Sequence, residues 1–386
     1  MTSNERREKR YQRRKAARAE KKRQLYGDCN DFEKVFTYRH LFESYKKSKR
    51  GVNWKASTQK FTATAGTQLF HLYDALHKGE YRSPGFYEFN IFERGKARHI
   101  RSVTIDERVV QRCLCDESLV PLMTRTFVHD NGACMKGKGY DFAINRLKCH
   151  TQRHFRKYGA DGYILLFDFS KFFDTLPHKT VLEKVDKELE DPRLRKLTHH
   201  FVDAFGDEGL GLGSQISQVL ALASANKLDH FVKEVLRVKG YGRYMDDGYL
   251  IHQSKDYLRH CLEEIKKVCD ELGLHLNLKK TRIVRLKDGY TFLKVKHYLT
   301  DTGRVIRKIP HDGITRMRRK LKKLKRRVDA GLMDLKDVKQ ALQSWAGHTL
   351  KFDAYKTRMA MYARFANLYF NGGTALCSTK SCKATQ

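Results

Sequence analysis

Five prolines and two tryptophans are all that the 386 residues carry of either type. No Pro/Ser-rich stretch separates one part of the chain from another, so its domains are expected to join directly. The nine cysteines contain no Cys-x-x-Cys pair. An odd number without framework spacing argues against a disulfide scaffold and for reduced thiols in a cytoplasmic compartment. Cys377 and Cys382 offer only two soft ligands with no histidine nearby, too few for a zinc site. No apolar run approaches the roughly 20 residues of a membrane span; the longest, Tyr163–Phe167 and Val219–Ala225, are core-sized. Met1–Arg23 is charged where a secretory signal would be apolar. Acid is also scarce: 44 Asp and Glu against 78 Lys and Arg leave a formal charge of +34. Self-repulsion of that size calls for a polyanion, and nucleic acid fits, since neutralising phosphates releases counterions. An anionic membrane fits less well, because the basic stretches mostly lack an apolar helix face.

What is present is a globular chain. Hydrophobic content of 40%, with 11% aromatics, is too rich for disorder, and the length suggests two or three folded units at about 150 residues each. Met1–Gln24 carries eleven Lys and Arg against three Glu and no large aliphatic side chain. A helix formed against RNA or DNA and a solvated arm are both open readings. Asp31–Gly79 has helical spacing (Phe32, Val35, Phe36; Leu69, Leu72, Leu76), Gly85–Thr104 reads as a hairpin with basic residues at its tip, and Asp106–Leu122 reads as a helix. Asp130–Gly139, with three glycines, reads as a loop.

The middle of the chain has a clearer plan. Gly162–Asp168 is an apolar run of strand length ending in a carboxylate, as expected of a strand covered on both faces. Val219–Leu236 is helical, Tyr241–His252 reads as a hairpin turning on Met245–Gly248, and Asp256–Leu272 is an amphipathic helix. Leu274, Leu276 and Leu278 alternate with polar residues like a strand exposed on one side. Together these give a βαββαβ-like α+β plan, with helices on one face of an antiparallel sheet.

In that plan the first strand and the hairpin are neighbours, so Asp168, Asp246 and Asp247 can meet at one edge. Three bare carboxylates would repel and lose solvation, at a cost of several kcal/mol. Divalent cations remove that cost, since Mg²⁺ prefers carboxylate oxygens and keeps waters for substrate phosphates. Two such ions can activate a 3′-hydroxyl and stabilise a leaving pyrophosphate. Asp246-Asp247-Gly248 taken alone is also an ordinary hairpin turn, since Asp-Gly is a common hairpin signal.

Tyr244-Met245-Asp246-Asp247 is the YxDD box of reverse transcriptases. Phe167–Asp174 resembles their upstream aspartate motif, and Gly211–Gln218 their glycine-and-serine motif. Leu272–Thr281 is similar to their post-catalytic strand and lysine, and Phe292-Leu293-Lys294 sits where a primer-gripping hairpin is expected. Order and spacing match for all five, over roughly Arg94–Phe370. The chain therefore resembles bacterial reverse transcriptases.

The resemblance implies a right-hand polymerase fold of fingers, palm with a ferredoxin-like antiparallel sheet, and helical thumb. The expected division is a basic arm at 1–25, fingers at 26–160, palm at 161–300, thumb at 301–370 and a flexible tail at 371–386. Asp168 and Asp246 would ligate two Mg²⁺ ions (Mn²⁺ a substitute), Asp247 would complete the set, and the Phe169 carbonyl would assist. Lys96, Arg98 and Arg101 would clamp the incoming triphosphate, and Lys280 is the candidate acid for the leaving group. Phe173, beneath the sugar, would exclude a 2′-hydroxyl and so select deoxynucleotides.

One departure from the family pattern lies in the third motif. Many reverse transcriptases have Pro-Gln-Gly before the serine and Ser-Pro after it; here Gly211-Leu212-Gly213 and Ser217-Gln218 stand there. That is similar to diversity-generating retroelement and defence-associated or abortive-infection enzymes. With Leu212 and Gly213 at the nascent pair, base checking would rest on shape, with altered fidelity expected; Leu212 as a packing residue of an accurate enzyme is the other reading.

Nine of the twelve residues Arg316–Arg327 are Lys or Arg, putting cations on nearly every face of a helix; Arg316, Arg318, Arg319, Lys322, Lys323 and Arg326 would track a phosphate backbone. Trp345 reads as thumb core or as a base-stacking ring. No endonuclease, protease or RNase H segment is recognised. The expected partners are template RNA, a primer strand and dNTPs, with a structured non-coding RNA and a small accessory protein in a retroelement or antiphage setting, and no membrane. A non-catalytic maturase-like scaffold and an RNA-dependent RNA polymerase are the competing readings.

Overall fold

The computed structural model describes residues 2–93 and 95–370, with the backbone alone for Glu93 and Lys96. The expected tail at 371–386, including Cys377 and Cys382, lies outside those residues. The seven described cysteines are all free thiols, and no helix among the described residues is long and apolar enough to cross a membrane.

The Gly85–Thr104 pattern folds as the expected antiparallel hairpin: β1 (Phe86–Glu93) and β2 (Lys96–Val103) pair from Phe86 opposite Val103 to Glu93 opposite Lys96. Four further strands, β3 (Tyr163–Asp168), β4 (Gly240–Tyr244), β5 (Asp247–His252) and β6 (Arg282–Arg285), form a sheet in the order β4-β5-β3-β6. The first strand of the four thus lies between the third and the fourth, the arrangement of a split βαβ unit. Ile164, Leu165, Leu166 and Phe167 are all buried, as the unbroken apolar run requires of a strand covered on both faces. Helices His178–Glu188, Pro192–Asp203 and Gln215–Ser224 connect β3 to β4. The Lys255–Leu272 helix connects β5 to β6 and buries Leu258, Cys261, Ile265, Val268, Cys269 and Leu272, the stripe read from its spacing.

Three sequence expectations are corrected. Leu274–Leu278 is not a strand: Leu274 is buried, Leu276 makes only an isolated bridge to Phe169, and Leu278 is exposed. Asn277 ends the run, because its carbonyl accepts the Lys280 and Thr281 N–H groups at 3.0 and 2.9 Å and the Thr281 hydroxyl at 2.9 Å. That turn postpones the strand to Arg282. The β4–β5 turn is also tighter than the four residues expected, since Asp247 and Gly248 already belong to β5. Met245 closes it by adopting a φ of 54°, a left-handed conformation uncommon outside glycine. The third correction concerns the basic helix His311–Asp329, described below.

The chain falls into two compact units. One runs from the N-terminus to Arg146 and takes in Leu165–Leu250 and Asp256–Arg282; the other takes in Leu147–Ile164, Ile251–Lys255 and the chain from Ile283 onward. The first begins with a 27-residue helix, Ser3–Cys29. The stretch read as helical at 31–79 is four helices, Phe32–Val35, Tyr38–Ser48, Ala56–Ala63 and Ala65–Lys78.

The second unit holds the antiparallel sheet of β7 (Tyr290–Phe292), β8 (Val295–Leu299) and β9 (Val305–Lys308). Its β7–β8 turn places both Leu293 and Lys294 at positive φ, 47° and 63°. Helices His311–Asp329, Leu335–Thr349 and Tyr355–Tyr369 follow. Cations do not surround the first of them. Met317, Leu321 and Leu324 form a buried stripe that packs with Val338, Leu342, Met361 and Phe365. Trp345 lies partly buried against this cluster, the core role of its two readings. Burying such a stripe anchors a helix that its own propensity would not hold.

Candidate active site

The site lies within the first unit and is built on the end of β3. Asp168, the last residue of that strand, is 5% exposed. Its carbonyl accepts the Asn277 N–H at 2.7 Å, the Ser170 N–H reaches the His275 carbonyl at 2.7 Å, and the Phe169 N–H reaches the Asp246 carbonyl at 3.2 Å. Backbone bonds therefore join three remote segments before any side chain is considered. The Phe169 ring stacks on Phe172 and meets Phe167 edge-on, so this corner rests on packed aromatics.

The turn carrying Asp246 is held from beneath. Arg243 is fully buried and donates to both carboxylate oxygens of the equally buried Asp229, at 2.7 and 2.6 Å. Tyr241 donates to the same carboxylate at 2.5 Å. The other arm of the guanidinium donates to the Met245 carbonyl at 2.9 Å, fixing the residue that takes the left-handed conformation. Gly248 completes the arrangement: a Cβ there would stand 2.1 Å from the Phe167 ring. Only a glycine lets β5 lie this close to β3.

Asp168, Asp246 and Asp247 thereby meet, with one carboxylate oxygen of each within 4.8 Å of the others. Burial pushes the Asp246 carboxyl above its usual range and the Asp168 charge pushes it further, while Lys280 and Arg98 oppose the rise. Lys280 forms an ion pair with Asp168, which raises the ammonium above its ordinary value. The Asn277 amide nitrogen stands 3.5 Å from the same carboxylate. Three acids sharing one edge, one of them buried, need positive charge nearby. An all-oxygen donor set of this kind fits a hard divalent cation, such as Mg²⁺ or Mn²⁺.

Of the expected nucleotide contacts, Arg98 lies on β2 opposite Ile91 and within electrostatic reach of Asp246. Arg101 is engaged elsewhere, donating to the Phe205 carbonyl at 2.6 Å and pairing with Glu88 at 3.1 Å. The side chain of Lys96 lies outside the described residues. Phe172 is the core member of its pair at 5% exposed, and Phe173 is half-buried. The Phe173 carbonyl accepts the Leu210 N–H at 2.6 Å, which ties it to the Gly211–Gly213 loop. Gly213, at φ 116°, lies against β2, where an added Cβ would meet the Arg101 carbonyl at 3.4 Å; Leu212 beside it is half-buried. In the second unit Arg316, Arg318, Arg319, Lys322, Lys323 and Arg326 are all exposed, and Arg316 pairs with Asp312 at 3.0 Å.

Sequence reading missed the Arg243–Asp229 pair, the Asn277 amide and Gly248. A signal for the first was present. Asp229 interrupts the apolar face formed by Leu222, Ala225, Leu228 and Val232, and Arg243 stands inside a strand that is otherwise Gly and Tyr. Two opposite charges at interior positions are expected to find one another. The Tyr140–Tyr158 helix also went unread.

The profile of the reverse transcriptase (RNA-dependent DNA polymerase) family matches residues 84–297, more than half of the chain, and spans all three carboxylates. Protein YkfC of Escherichia coli (strain K12) is 24% identical over 274 residues, covering 60% of this chain and 71% of that protein. Among solved structures, telomerase from Candida albicans with a fragment of telomeric RNA aligns at 11% identity and a TM-score of 0.47, covering 76% of this chain and 61% of that one. Apo telomerase from Candida tropicalis, truncated from its C-terminal domain, aligns at 13% and 0.45, covering 58% and 55% respectively. The chain thus spans less than two thirds of either telomerase, and likenesses this loose add nothing to the family match.

Proposed function

Because the chain belongs to the reverse transcriptase (RNA-dependent DNA polymerase) family, we propose that it is an active enzyme that copies an RNA template into DNA by nucleotidyl transfer. The observation that carries the reading is the meeting of Asp168, Asp246 and Asp247 at one edge. Asp168 and Asp246 would hold two Mg²⁺ ions, with Asp247 and the Phe169 carbonyl completing the set and Mn²⁺ an alternative. The ions would supply a polarised primer hydroxyl and charge neutralisation at the leaving pyrophosphate.

The chain's own residues do the rest. The Arg243 bond to Met245 holds the turn so that Asp246 stays beside Asp168. Arg98, with Lys96, meets the triphosphate, and Arg101 would join them on leaving Glu88 and the Phe205 carbonyl. Lys280, paired with Asp168, would serve as the acid for the pyrophosphate leaving group. Phe173, half-exposed beside a buried Phe172, presents a ring to the sugar and leaves no space for a 2′-hydroxyl. The exposed cations of His311–Asp329 take the phosphates of the template and primer strands. Leu212 and the Ser217-Gln218 pair support a place in a bacterial retroelement or antiphage system, where a structured RNA and a small accessory protein would be partners. Neighbouring genes test that setting: a variable-repeat target marks diversification, and a structured RNA in a defence island marks immunity.

Primer extension on RNA with Mg²⁺ tests the activity. Incorporation of dNTPs that is lost in Asp246→Asn is the expected result. Incorporation of NTPs instead would make it an RNA polymerase, and RNA binding without synthesis a scaffold. Phe173→Ala is expected to admit ribonucleotides; unchanged sugar selectivity would remove Phe173 from the sugar site.

A further inference from the structure

The Ser3–Cys29 helix has no part in the site above, and seven of its eleven cations crowd one side of it. At 100° per residue, Arg7, Arg10, Arg14, Lys15, Arg18, Lys21 and Lys22, with Tyr11 among them, share one arc of about 140°. The rest of the circumference mixes Glu5, Glu8 and Glu20 with Arg6, Lys9, Arg13 and Arg23, so its net charge is far smaller. Arg7, Arg10, Tyr11, Arg14, Lys15 and Arg18 line a shallow concavity along the helix. Every residue from Thr2 to Gln24 is exposed.

Anchorage is confined to the last turn. Cys29 is buried, Tyr26 donates to Glu188 at 2.8 Å, Arg125 lies over the Tyr26 ring at 5.2 Å, and Asn30 exchanges bonds with the Glu188 carbonyl and the Glu190 N–H. The far end carries its own Thr2–Glu5 capping box. Arg6, Arg10, Arg14, Arg18 and Lys22 follow one another at four-residue intervals, and like charges at that spacing cost a helix about 0.2–0.5 kcal/mol per pair.

A projecting rod that repels itself is suited to a polyanion. Ser3–Gln24 contains no Leu, Ile, Val, Phe, Met or Trp. It therefore has no apolar face to lay into a bilayer interface or a protein groove. With Tyr11 as its one aromatic, it also lacks the stacking platform that single strands use. What remains is phosphate geometry read along a straight element of about 33 Å, which matches the paired phosphate rails of a duplex.

We propose that this helix docks the duplex stem of a structured RNA, at a surface separate from the catalytic edge. That the duplex is RNA rests on the polymerase reading above; that it is a duplex rests on the helix alone. Arg7, Arg10, Arg14 and Arg18 make the phosphate contacts, and the mixed side faces solvent.

The test uses the full chain and fluorescence anisotropy with four labelled probes. These are an RNA hairpin with a stem of about 16 base pairs, a single-stranded RNA of equal length, the matching DNA duplex and phosphatidylserine vesicles. In Arg7→Gln/Arg10→Gln/Arg14→Gln/Arg18→Gln, hairpin affinity should fall at least tenfold at about 0.15 M salt, and the slope of log K against log salt should become less negative by about three. Four lysines at the same positions should keep most of the affinity, and Glu8→Gln/Glu20→Gln should lose none. Extension of a short pre-annealed primer–template should stay within twofold of wild type. Hairpin binding unchanged in the quadruple glutamine variant overturns the proposal. So does an equal or larger loss with the single strand, the DNA duplex or the vesicles. A wild-type chain that binds the hairpin through these arginines yet extends no primer would sink the polymerase reading and leave the docking helix standing.

Discussion

The carboxylate edge and the N-terminal helix stand at opposite ends of one design choice. At the edge, three carboxylates in a chain of net charge +34 are fixed by backbone bonds, a buried arginine and a glycine that admits no substitute. At the helix, many cations lie exposed on an element tethered at one end. A buried charge works by position, so each group at the edge is irreplaceable. Exposed charges work by sum, so no single arginine matters much. The basic helix His311–Asp329 lies between these extremes, most of its cations exposed like those of the arm but its fold fixed by Met317, Leu321 and Leu324.

The largest expected effect is at the edge. Changing Asp168→Asn should reduce primer extension by more than about a hundredfold, since even residues that merely support metal ligands cost 10–100-fold. The thermal midpoint should hold or rise, because a repelling acid has gone. A large fall in midpoint with activity retained would reverse the contrast.

Next comes the buried pair. Asp229→Asn leaves Arg243 without its charge partner and should cost about 3–5 kcal/mol in chemical denaturation. Asp229→Leu/Arg243→Met should recover most of that stability but not the activity, since the Met245 carbonyl would still lack its donor. Recovery of both would mean that the pair only fills space.

Burial without any catalytic role provides the third test. His297 in the second unit is fully buried, its Nε2 has no hydrogen-bond partner among the described residues, and its ring stacks on Tyr290 at 5.4 Å. Burial pushes its pKa down to about 4 from an ordinary 6.5. Between those values the unfolded chain binds a proton that the folded chain does not, so stability falls as pH drops through 6.5 toward 4. The loss should be about 3 kcal/mol at the acid end. In His297→Phe the acid limb of the stability profile should flatten; an identical profile would place the sensitivity elsewhere. The smallest effect belongs to the arm: Arg14→Gln alone should weaken RNA-hairpin binding roughly threefold at most, and a tenfold loss would mean that its charges act in concert rather than additively.

The sequence was legible where a pattern maps onto one local element. The apolar run before Asp168 can only be a strand covered on both faces. The stripe on Lys255–Leu272 follows from the period that side chains impose on a helical backbone. The motif order through Asp168 and the 246–247 pair was likewise readable. The alternating leucines after residue 272 misled, because alternation reports which side chains could share a face and not whether a partner strand lies alongside; Asn277 turns the chain first. The basic helix His311–Asp329 misled for a related reason, since nine charges in twelve hide three apolar residues whose common stripe appears only against neighbouring helices.

The amino-acid order alone determined the charge that demands a polyanion, the strands and helices with strong periodicity, and the identity of the three acids. Tertiary structure decided that those acids come within reach of one another, that Arg243 holds the turn beneath them, and that Gly248 must be a glycine. The division has a physical cause. Periodicity and charge are properties of neighbours along a chain, whereas a cluster of carboxylates, a buried ion pair and a missing Cβ depend on groups that meet only in the folded chain, 14 positions apart for Asp229 and Arg243 and 78 for Asp168 and Asp246.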